Sequence, residues 1–204
     1  MASSRRASVG EWLKPTSSSM TSIAEEWNNR YSQLDRMWSG NPNAALIHAV
    51  TQLGLAGGSA IDIGCGEGAD ALWLAGKGWD VTACDPSSVA IDRARAADGM
   101  HCVTWYIASL EELKLGTFDL VTAMYPVLDP TVDSVERLHQ LVAPGGVLIF
   151  THHEGREDCL SPAMVAELFP GKVLLHESHH RDVVHGAGSR HHTDLIVAVR
   201  RPSQ

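Results

Sequence analysis

Short apolar runs rich in β-branched residues recur along this 204-residue chain, and segments with helical spacing separate most of them. Strands that alternate with helices are typical of an α/β fold, in which helices cover both faces of a mostly parallel sheet. The pattern therefore predicts a doubly wound α/β domain with seven strands. Those strands are expected at residues 59–64, 80–85, 103–108, 118–124, 146–152, 172–178 and 193–200.

Four helical patterns lie between or beside these runs, and two of them carry recognisable start signals. The patterns cover residues 69–75, 88–97, 131–143 and 161–170. Ser87 or Ser88 is expected to cap the second helix, and Ser161 followed by Pro162 suits the start of the fourth. The last two strands are joined by the Gly-rich residues 185–190, which leave no room for a crossover helix. We therefore predict an antiparallel hairpin that closes the sheet.

The residues before the first strand fall into two parts. Residues 1–20 are Ser-rich and predict either a disordered tail or an extension upstream of a true start at Met20. Residues 21–204 then form one domain, of which 21–57 are a helical N-terminal segment. This segment carries three aromatic residues, Trp27, Tyr31 and Trp38. Packing against the core explains each of them alone, whereas the group also suits a lid over a ligand site.

The composition limits which classes of partner the protein is expected to bind and in which compartment it is expected to reside. The formal net charge of −8 argues against a nucleic-acid partner, because such a partner requires a basic face. No run of about eighteen apolar residues is present, so no membrane span is expected. The N-terminus has no apolar core of signal-peptide length, so export is not expected either. The four cysteines form no CxxC pair, which favours a reduced, cytoplasmic setting over a zinc site or a disulfide framework.

The most informative stretch is "DIGCGEG" at residues 62–68, which follows the first predicted strand. Glycines after a strand let the backbone approach a ligand closely at the carboxyl end of a parallel sheet. Gly64 and Gly66 satisfy a dinucleotide-binding pattern together with Asp85, which lies about twenty residues further on. Asp62 disfavours that interpretation, since a carboxylate repels a pyrophosphate and suits a ligand that carries an ammonium group. A tight turn without any ligand is the simplest alternative.

Four motifs in order resemble those of the class I S-adenosylmethionine-dependent methyltransferases. They are "DIGCGEG", the acid that ends the second strand, "FDLVTAMYPVLD" (118–129) and "LHQLVAPGGVLIF" (138–150). The resemblance extends over residues 23–200 and includes the closing hairpin, which dinucleotide dehydrogenases lack. It implies a Rossmann-like sheet, S-adenosylmethionine as the cofactor, and methyl transfer to a small molecule by in-line displacement. An NAD-dependent oxidoreductase and a non-catalytic S-adenosylmethionine-binding protein are the alternatives.

The resemblance also implies which residues hold the cofactor. Asp62 and residues 64–68 would hold its methionine portion, Asp85 its ribose, and Pro86 with Ser87 its adenine. Within the family, the N-terminal segment is similar to that of the tellurite-resistance and thiopurine branch, where such a segment covers the cofactor. The complete expected set is Trp27, Arg30, Tyr31, Asp62, Gly64, Cys65, Gly66, Gly68, Asp85, Pro86, Ser87, Ala108, Ser109, Leu110 and Met124.

Three positions of this set have alternatives. Ser109 stands where the family usually has an acid near the adenine amino group, although a hydroxyl can still accept a hydrogen bond. Arg30 suits either a partner for the cofactor carboxylate or a solvated helix arginine. Cys65 suits a small residue in a tight turn better than a reactive thiol.

Three residues are candidates for contact with the methyl acceptor. Tyr125 follows the fourth predicted strand, and His152 and His153 lie at the end of the fifth, at the same edge of the sheet. A histidine with a pKa near 6.5 suits proton abstraction, from which a hydroxyl acceptor benefits more than a thiolate. A structural role is the alternative for either histidine. Further histidines, at residues 176, 179, 180, 185, 191 and 192, show no recognised metal-ligand spacing, so we expect no metal.

Overall fold

The structure is a computed structural model, and it describes residues 22–156, 158–181 and 192–203. Seven strands form one sheet in the order β3-β2-β1-β4-β5-β7-β6. The strands are β1 (Gly58–Ile63), β2 (Trp79–Asp85), β3 (Val103–Ile107), β4 (Phe118–Met124), β5 (Val142–His153), β6 (Lys172–Arg181) and β7 (His192–Arg200). The predicted fold class and the seven predicted strands are confirmed. The predicted tail at 1–20 lies outside the described residues.

The first five strands pair in parallel in the order β3-β2-β1-β4-β5. Antiparallel pairing of β7 with β5 and β6 closes the sheet. β1 lies between β2 and β4, with Ala60 paired on both sides. β7 runs antiparallel to both β5 and β6, so that Asp194 lies opposite His153. This antiparallel closure was predicted, whereas the Gly-rich link at 185–190 lies outside the described ranges. The strand order reverses beside β1, and open α/β sheets bind their ligands at such a point.

Two strands extend beyond their predicted bounds by three residues or more. β5 begins at Val142 and not at residue 146, because Phe118 pairs with Val142 before a bulge shifts the register. The "PGG" sequence at residues 144–146 therefore lies inside the strand. β6 continues past residue 178 to Arg181, since it pairs with β7 along this whole length.

Helices cover both faces of the sheet. Those in the described ranges are α1 (Ile23–Ser32), α2 (Ala44–Gln52), α3 (Ala69–Gly76), α4 (Ser88–Ala97), α5 (Val132–Leu141) and α6 (Pro162–Leu168), and none of these is long and apolar enough to cross a membrane. Ser87, the first of the two candidate caps, accepts a hydrogen bond from the amide of Ala90 and caps α4. Ser161 caps α6 in the same way, with Pro162 in the first helical turn as predicted.

Alternating strand residues feed two hydrophobic cores, one on each face of the sheet. Ala60 belongs to the core beneath α2 and α3, which includes Leu46. Its neighbour Ile61 belongs to the core beneath α5 and α6, which includes Leu138. This burial of both faces is what a mostly parallel sheet requires, and it leaves the carboxyl edge of the strands as the place for a site.

The N-terminal segment packs on the domain through its aromatic residues. Tyr31 and Met37 are buried against Ala90 of α4, and Trp27 and Trp38 pack partly buried beside them. The packing role that the sequence allowed for these aromatic residues is therefore observed. The same segment also forms one wall of the cavity described next.

Candidate active site

A cavity of about 680 Å³ lies at the edge of the sheet where β1, β2, β4 and β5 end. The loops after these strands, the residues after β3 and the segment between α1 and α2 form its walls. The expected site residues on these walls are Trp27, Tyr31, Asp62, Gly64, Cys65, Gly66, Asp85, Pro86, Ala108, Ser109, Leu110, Met124, Tyr125, His152 and His153. Three expected residues, Arg30, Gly68 and Ser87, are not part of the cavity wall.

The loop between β1 and α3 is fixed by hydrogen bonds to the end of β2. The amides of Gly64 and Cys65 both donate to the carbonyl of Cys84, at 2.9 Å each. The amide of Gly66 donates to the Asp85 carboxylate at 3.0 Å. Gly64 and Gly66 have φ values of 70° and 54°, which residues with a side chain rarely adopt. The glycines therefore give the loop a shape that brings its backbone to the cavity.

Two other residues of this loop serve packing. Gly68 precedes α3 with a φ of 86°, and a Cβ there would lie 2.6 Å from the Trp105 ring and 2.9 Å from the Cβ of Ala94. Close packing against α4 and β3 thus explains this glycine, and the ligand contact expected from the sequence stays a prediction. Cys65 lines the cavity, but burial raises the pKa of its thiol well above the ordinary value, which agrees with a small packing residue.

Asp62 presents a buried acceptor to the cavity. Its Oδ1 accepts a hydrogen bond from Thr122 Oγ1 at 2.8 Å, whereas its Oδ2 is buried without a hydrogen-bond partner among the described residues. Burial, and after it the charge of Asp70, raises the pKa of Asp62 well above its ordinary value. A buried acceptor without a partner is costly, and a cationic donor offsets that cost. The side chain therefore fits a ligand that carries an ammonium group.

Asp70 and Asn43 form a second polar pair on the wall, which sequence reasoning missed. The backbone amide and the side-chain Nδ2 of Asn43 both donate to the Asp70 carboxylate, at 2.6 Å each. Asp70 lies in the first turn of α3, and Asn43 directly precedes α2. Both residues read as ordinary helix-start residues in the sequence, so their contact across two helices carries no local signal.

Asp85 is tied to two elements and also faces the cavity. Its carboxylate accepts hydrogen bonds from the amides of Gly66 at 3.0 Å and Ser87 at 2.9 Å. Burial raises its pKa to about 6. A carboxylate has about four acceptor sites, so Asp85 can also accept hydroxyl donors from the cavity. Pro86 follows it on the wall, whereas the Ser87 hydroxyl caps α4 and donates to Asn28 at 2.8 Å.

Residues after β3 form the wall beside Asp85. The Ala108 amide donates to the carbonyl of Asp85 at 3.1 Å. The Ser109 amide donates to the Glu112 carboxylate at 2.8 Å, and Leu110 is buried with its side chain in the core. Apolar surface next to backbone polar groups is typical of pockets for planar heterocycles.

Glu67 anchors the N-terminal segment to the glycine loop. Its carboxylate accepts hydrogen bonds from the amides of Met37 at 3.2 Å and Trp38 at 3.0 Å. It also forms an ion pair with Arg93 of α4 at 2.8 Å, and Arg93 donates in turn to the carbonyl of Tyr31 at 3.0 Å. The segment is therefore held over the loop by charge-assisted hydrogen bonds, which are stronger than neutral ones.

Tyr31 closes the cavity directly above the loop. Its hydroxyl accepts a hydrogen bond from Trp38 Nε1 at 3.0 Å, and a Cβ on Gly66 would lie 2.9 Å from the same hydroxyl. Trp27 lines the same wall. Arg30 contacts Trp27, with its guanidinium 4.9 Å from the centre of the Trp27 ring. It also forms an ion pair with Glu26, one turn earlier in α1.

Tyr125 and His153 share one buried carboxylate at the end of the cavity next to Met124. The Tyr125 hydroxyl donates to Asp194 Oδ2 at 2.7 Å, and His153 Nδ1 lies 2.7 Å from Asp194 Oδ1. Asp194 is 0% exposed and lies near the start of β7. Sequence reasoning missed it, although an acid inside the apolar strand pattern at 193–200 was a usable signal, because buried acids are normally paired.

His152 has the geometry of a structural histidine. Its Nδ1 accepts a hydrogen bond from the amide of His153 at 2.8 Å, and its Nε2 lies 3.2 Å from Cys159 Sγ. Burial, and after it the charges of His153 and Arg156, lowers the pKa of His152 to about 4. The ring is therefore neutral at pH 7, with both nitrogens engaged.

The charges on the cavity walls are one-sided. Among the described residues that line it there is no Lys or Arg, whereas the acids there are Asp62, Glu67, Asp70, Asp85, Glu111 and Asp129. Such a field favours a cationic ligand. Within the described ranges, no group of three or more His, Cys, Asp or Glu residues could hold a metal ion. Of the predicted hairpin histidines, those at 185 and 191 lie outside those ranges.

Residues 60–146 match the family described as "Methyltransferase domain". The match, the fold and the cavity define the class of protein: the chain is an S-adenosylmethionine-dependent methyltransferase with a Rossmann-like sheet, and S-adenosylmethionine is its cofactor. It is 27% identical over 188 residues to "Ubiquinone biosynthesis O-methyltransferase" of Xanthomonas oryzae pv. oryzae, covering 88% of this chain and 78% of that protein. The protein of the same name from Aromatoleum aromaticum is 34% identical over 140 residues, covering 60% and 59%.

Solved structures share the same fold. One, described as "Conversion of a Disulfide Bond into a Thioacetal Group during Echinomycin Biosynthesis", covers 89% of this chain and 94% of its own, with a TM-score of 0.73 and 23% identity. The N-methyltransferase NodS from Bradyrhizobium japonicum WM9, in complex with S-adenosylhomocysteine, covers 89% and 100%, with a TM-score of 0.69 and 19% identity. At these identities the structures establish the fold alone, and the roles of individual residues stay predictions.

Proposed function

We propose that this enzyme transfers the methyl group of S-adenosylmethionine to a hydroxyl oxygen of a small molecule, with His153 as the general base. The pairing of His153 with the buried Asp194, on the wall beside Met124, carries this proposal. A hydroxyl is a weak nucleophile at neutral pH and benefits from proton removal, whereas a thiolate needs no base. A histidine held by a carboxylate could supply that base.

The cofactor would lie along the loop between β1 and α3. Asp62 Oδ2 would accept a hydrogen bond from its ammonium group, and the Asp85 carboxylate from its ribose hydroxyls. Residues 108–110 and Pro86 would enclose the adenine, while Trp27 and Tyr31 would cover the molecule from the N-terminal side. Arg30, Gly68 and Ser87 would then act through packing and capping, since they are not on the cavity wall.

The protein's contribution to the reaction is alignment, water exclusion and proton transfer. Held by Asp62 and Asp85, the cofactor would supply a methyl carbon that its sulfonium activates for in-line displacement by the acceptor oxygen, with the sulfur as the leaving group. His153 Nε2 takes the hydroxyl proton, because Nδ1 faces the Asp194 carboxylate. Asp194 stabilises the imidazolium that results, and the proton then passes to solvent. The enclosing walls keep water from competing with the acceptor.

Two observations favour an uncharged hydroxyl acceptor within this class. Relatives at 27% and 34% identity are named O-methyltransferases. The described lining residues include no Lys or Arg that could pair with an acceptor carboxylate or phosphate. A place nearest the tellurite-resistance and thiopurine branch stays a prediction that these observations do not favour.

The test compares two acceptors in wild type and in His153→Gln. Catechol presents a hydroxyl that needs a base, and thiophenol presents a sulfur that ionises readily on its own. We expect wild type to release S-adenosylhomocysteine with catechol, and His153→Gln to lose this activity by about 10²- to 10⁴-fold, the usual contribution of a general base. The variant's turnover of thiophenol should change little.

His48→Gln is the matched control, because His48 pairs with Glu177 on the surface of α2 and β6, away from the reacting end. It should keep wild-type turnover of both acceptors. Full catechol activity in His153→Gln, or methylation of thiophenol but of no hydroxyl acceptor in wild type, would overturn the proposed function.

A further inference from the structure

We infer that Asp70 and Asn43 are positioning residues for the amino-acid end of the cofactor, with Asp70 as a second carboxylate beside its ammonium group. The inference rests on the proposed function, in which Asp62 accepts a hydrogen bond from that ammonium group. Asn43 would hold the Asp70 carboxylate in place and favour its charged form. The pair would thereby make binding selective for ligands that carry the ammonium group.

Two buried acids lie side by side on the cavity wall. Asp62 is 1% exposed and Asp70 is 5% exposed, and both line the cavity. After burial, the charge of Asp70 is the largest cause of the raised pKa of Asp62, because the two carboxyls are neighbours. Asp62 Oδ2 has no hydrogen-bond partner among the described residues, so it offers a ligand a buried acceptor.

Asn43 holds the Asp70 carboxylate through both of its own donors. The Asn43 amide donates to Asp70 Oδ1 and the side-chain Nδ2 donates to Asp70 Oδ2, at 2.6 Å each. Burial raises the pKa of Asp70, and these two hydrogen bonds act in the opposite direction because they favour the charged form. A carboxylate has about four acceptor sites, so Asp70 can accept further donors from a ligand.

No cationic side chain accompanies this pair of acids in the described part of the chain. The wall of the cavity has no Lys or Arg there, and the hydrogen-bond donors to the two acids, Thr122 and Asn43, are uncharged. Buried like charges repel each other, and a buried carboxylate without a counter-charge is costly. We therefore expect the ligand to supply the cation that offsets this cost.

Glu67, three positions before Asp70, is an acid of the same wall whose charge is compensated within the protein. It accepts hydrogen bonds from two backbone amides of the N-terminal segment, as Asp70 does from Asn43. Both acids therefore anchor that segment. Glu67 also pairs with Arg93 at 2.8 Å, whereas no ion pair joins Asp70 to any described residue. The anchoring role alone thus leaves the charge of Asp70 unexplained.

The position of Asp70 at the start of α3 does not explain its burial either. An acid in the first turn of a helix interacts favourably with the helix dipole, and this interaction is available at an exposed position. Asp70 is instead buried beside a second acid, which makes its charge more costly. A ligand cation between the two carboxylates accounts for both the burial and the proximity.

The test uses three ligands that differ only in the chain attached to sulfur. S-adenosylhomocysteine carries an ammonium group and a carboxylate, 5′-deoxy-5′-(3-aminopropylthio)adenosine carries the ammonium group alone, and 5′-methylthioadenosine carries neither. All three share the adenine, the ribose and the sulfur, and none has a sulfonium charge. Calorimetric titration of the full chain measures the three affinities in wild type and in each variant.

Asp70→Asn removes the charge and keeps the shape of the side chain. It should weaken binding of the two ligands with an ammonium group by about 10- to 100-fold, the usual contribution of a charged hydrogen bond. The affinity for 5′-methylthioadenosine should not change. Asn43→Ala should give a smaller loss with the same selectivity, because the backbone amide still holds Asp70.

Equal losses for all three ligands in Asp70→Asn are what a structural role gives, and they would overturn the inference, as would no loss. Should Asp70→Asn fail to fold, equal losses or none in Asn43→Ala overturn it alone. Glu67→Gln is the matched control, since it removes the other anchor of the N-terminal segment. Its effect should be the same for all three ligands, and a loss confined to the ammonium-bearing ligands would count against the inference.

The outcomes also separate this inference from the proposed function. Selective loss in Asp62→Asn without selective loss in Asp70→Asn keeps the proposed place of the cofactor and removes only the roles of Asp70 and Asn43. Absence of selectivity in both variants removes the proposed place of the methionine portion as well. The comparison of catechol with thiophenol in His153→Gln tests the transfer chemistry and does not depend on these affinities.

Discussion

Asp85 links three parts of the site through one carboxylate. The carboxylate accepts hydrogen bonds from backbone amides of the glycine loop and of the start of α4, and the residue also lines the cavity. Because burial raises its pKa to about 6, it is ionised at pH 7 and becomes protonated as the pH falls below 6. A protonated carboxyl has less acceptor capacity for ribose hydroxyls. Cofactor affinity should therefore depend on pH through this residue.

We expect Asp85→Asn to weaken binding of S-adenosylhomocysteine at pH 7.5 by about tenfold or more, since a hydrogen bond to a charged group contributes about 1.5–3 kcal/mol. The wild-type affinity should fall as the pH is lowered through about 6, and that of the variant should not. Calorimetric titration at several pH values measures both. Asp119→Asn is the control, because Asp119 bonds Ser59 at the opposite end of the strands. Equal affinities in wild type and Asp85→Asn would contradict the ribose assignment.

Single residues differ in how far the sequence predicts them. Asp62, Gly66 and Asp85 could be predicted to lie together, because each lies at or just after the end of one of the first two strands. Asp194 could not be placed beside His153, because the two are 41 positions apart and meet only through the register of β5 and β7. The same limit applies to Tyr125, which lies 69 positions from Asp194.

At the scale of elements, the start of α3 fixes the glycine loop against the rest of the sheet. Gly68 has no room for a Cβ between Trp105 of β3 and Ala94 of α4. This contact lets α3 begin close to β3 and α4, so the preceding loop turns toward the cavity. The residue that limits this approach thus lies off the cavity wall.

Gly68→Ala should destabilise the protein by about 2–4 kcal/mol, because it combines a left-handed backbone with overpacking. Gly76→Ala, in the last turn of the same helix, is the matched control. Its Cβ would meet nothing within 4 Å, so that substitution should leave stability unchanged or raise it by up to about 1 kcal/mol. Urea unfolding followed by circular dichroism measures the difference. Similar stabilities of the two variants would show that Gly68 is not a packing residue.

Elements with a local signal were predicted within one or two residues of their bounds. The helix at 88–97 and the strand at 118–124 agree with the observed ranges, because caps and β-branched runs mark their ends. The start of β5 was not predicted, since "PGG" reads as a stop while Val142 pairs with Phe118 across the sheet. Tertiary pairing outweighed the local turn signal there.

For the molecule as a whole, the cavity holds carboxylates whose ionisation burial makes unfavourable. Burial raises the pKa of Asp62, Asp70 and Asp85. For Asp85 the folded-state pKa of about 6 exceeds the ordinary value of 3.8, so its contribution to folding stability is complete below pH 3.8 and is lost as the pH rises through about 6. Under the proposed function, a cationic cofactor would offset this loss by pairing with the ionised carboxylates.

Binding of the cofactor should therefore release protons near pH 6, because a cation lowers the pKa of the carboxyls it meets. S-adenosylmethionine should release more than S-adenosylhomocysteine, which lacks the sulfonium charge. Calorimetry in two buffers with different ionisation enthalpies counts the protons. Asp85→Asn should reduce the number, while Asp119→Asn should not. Proton uptake by wild type would contradict the charge assignment of the cavity.

The reversed direction of β7 has a consequence for how the enzyme can diverge. Because β7 is antiparallel, its first residues, and not its last, stand at the catalytic edge, beyond the end of the matched domain at residue 146. Under the proposed function, the groups that hold the cofactor precede residue 125, while the base and its carboxylate come later in the chain. A lineage can thus acquire a new acceptor through changes in its last third and inherit methyl-donor binding intact.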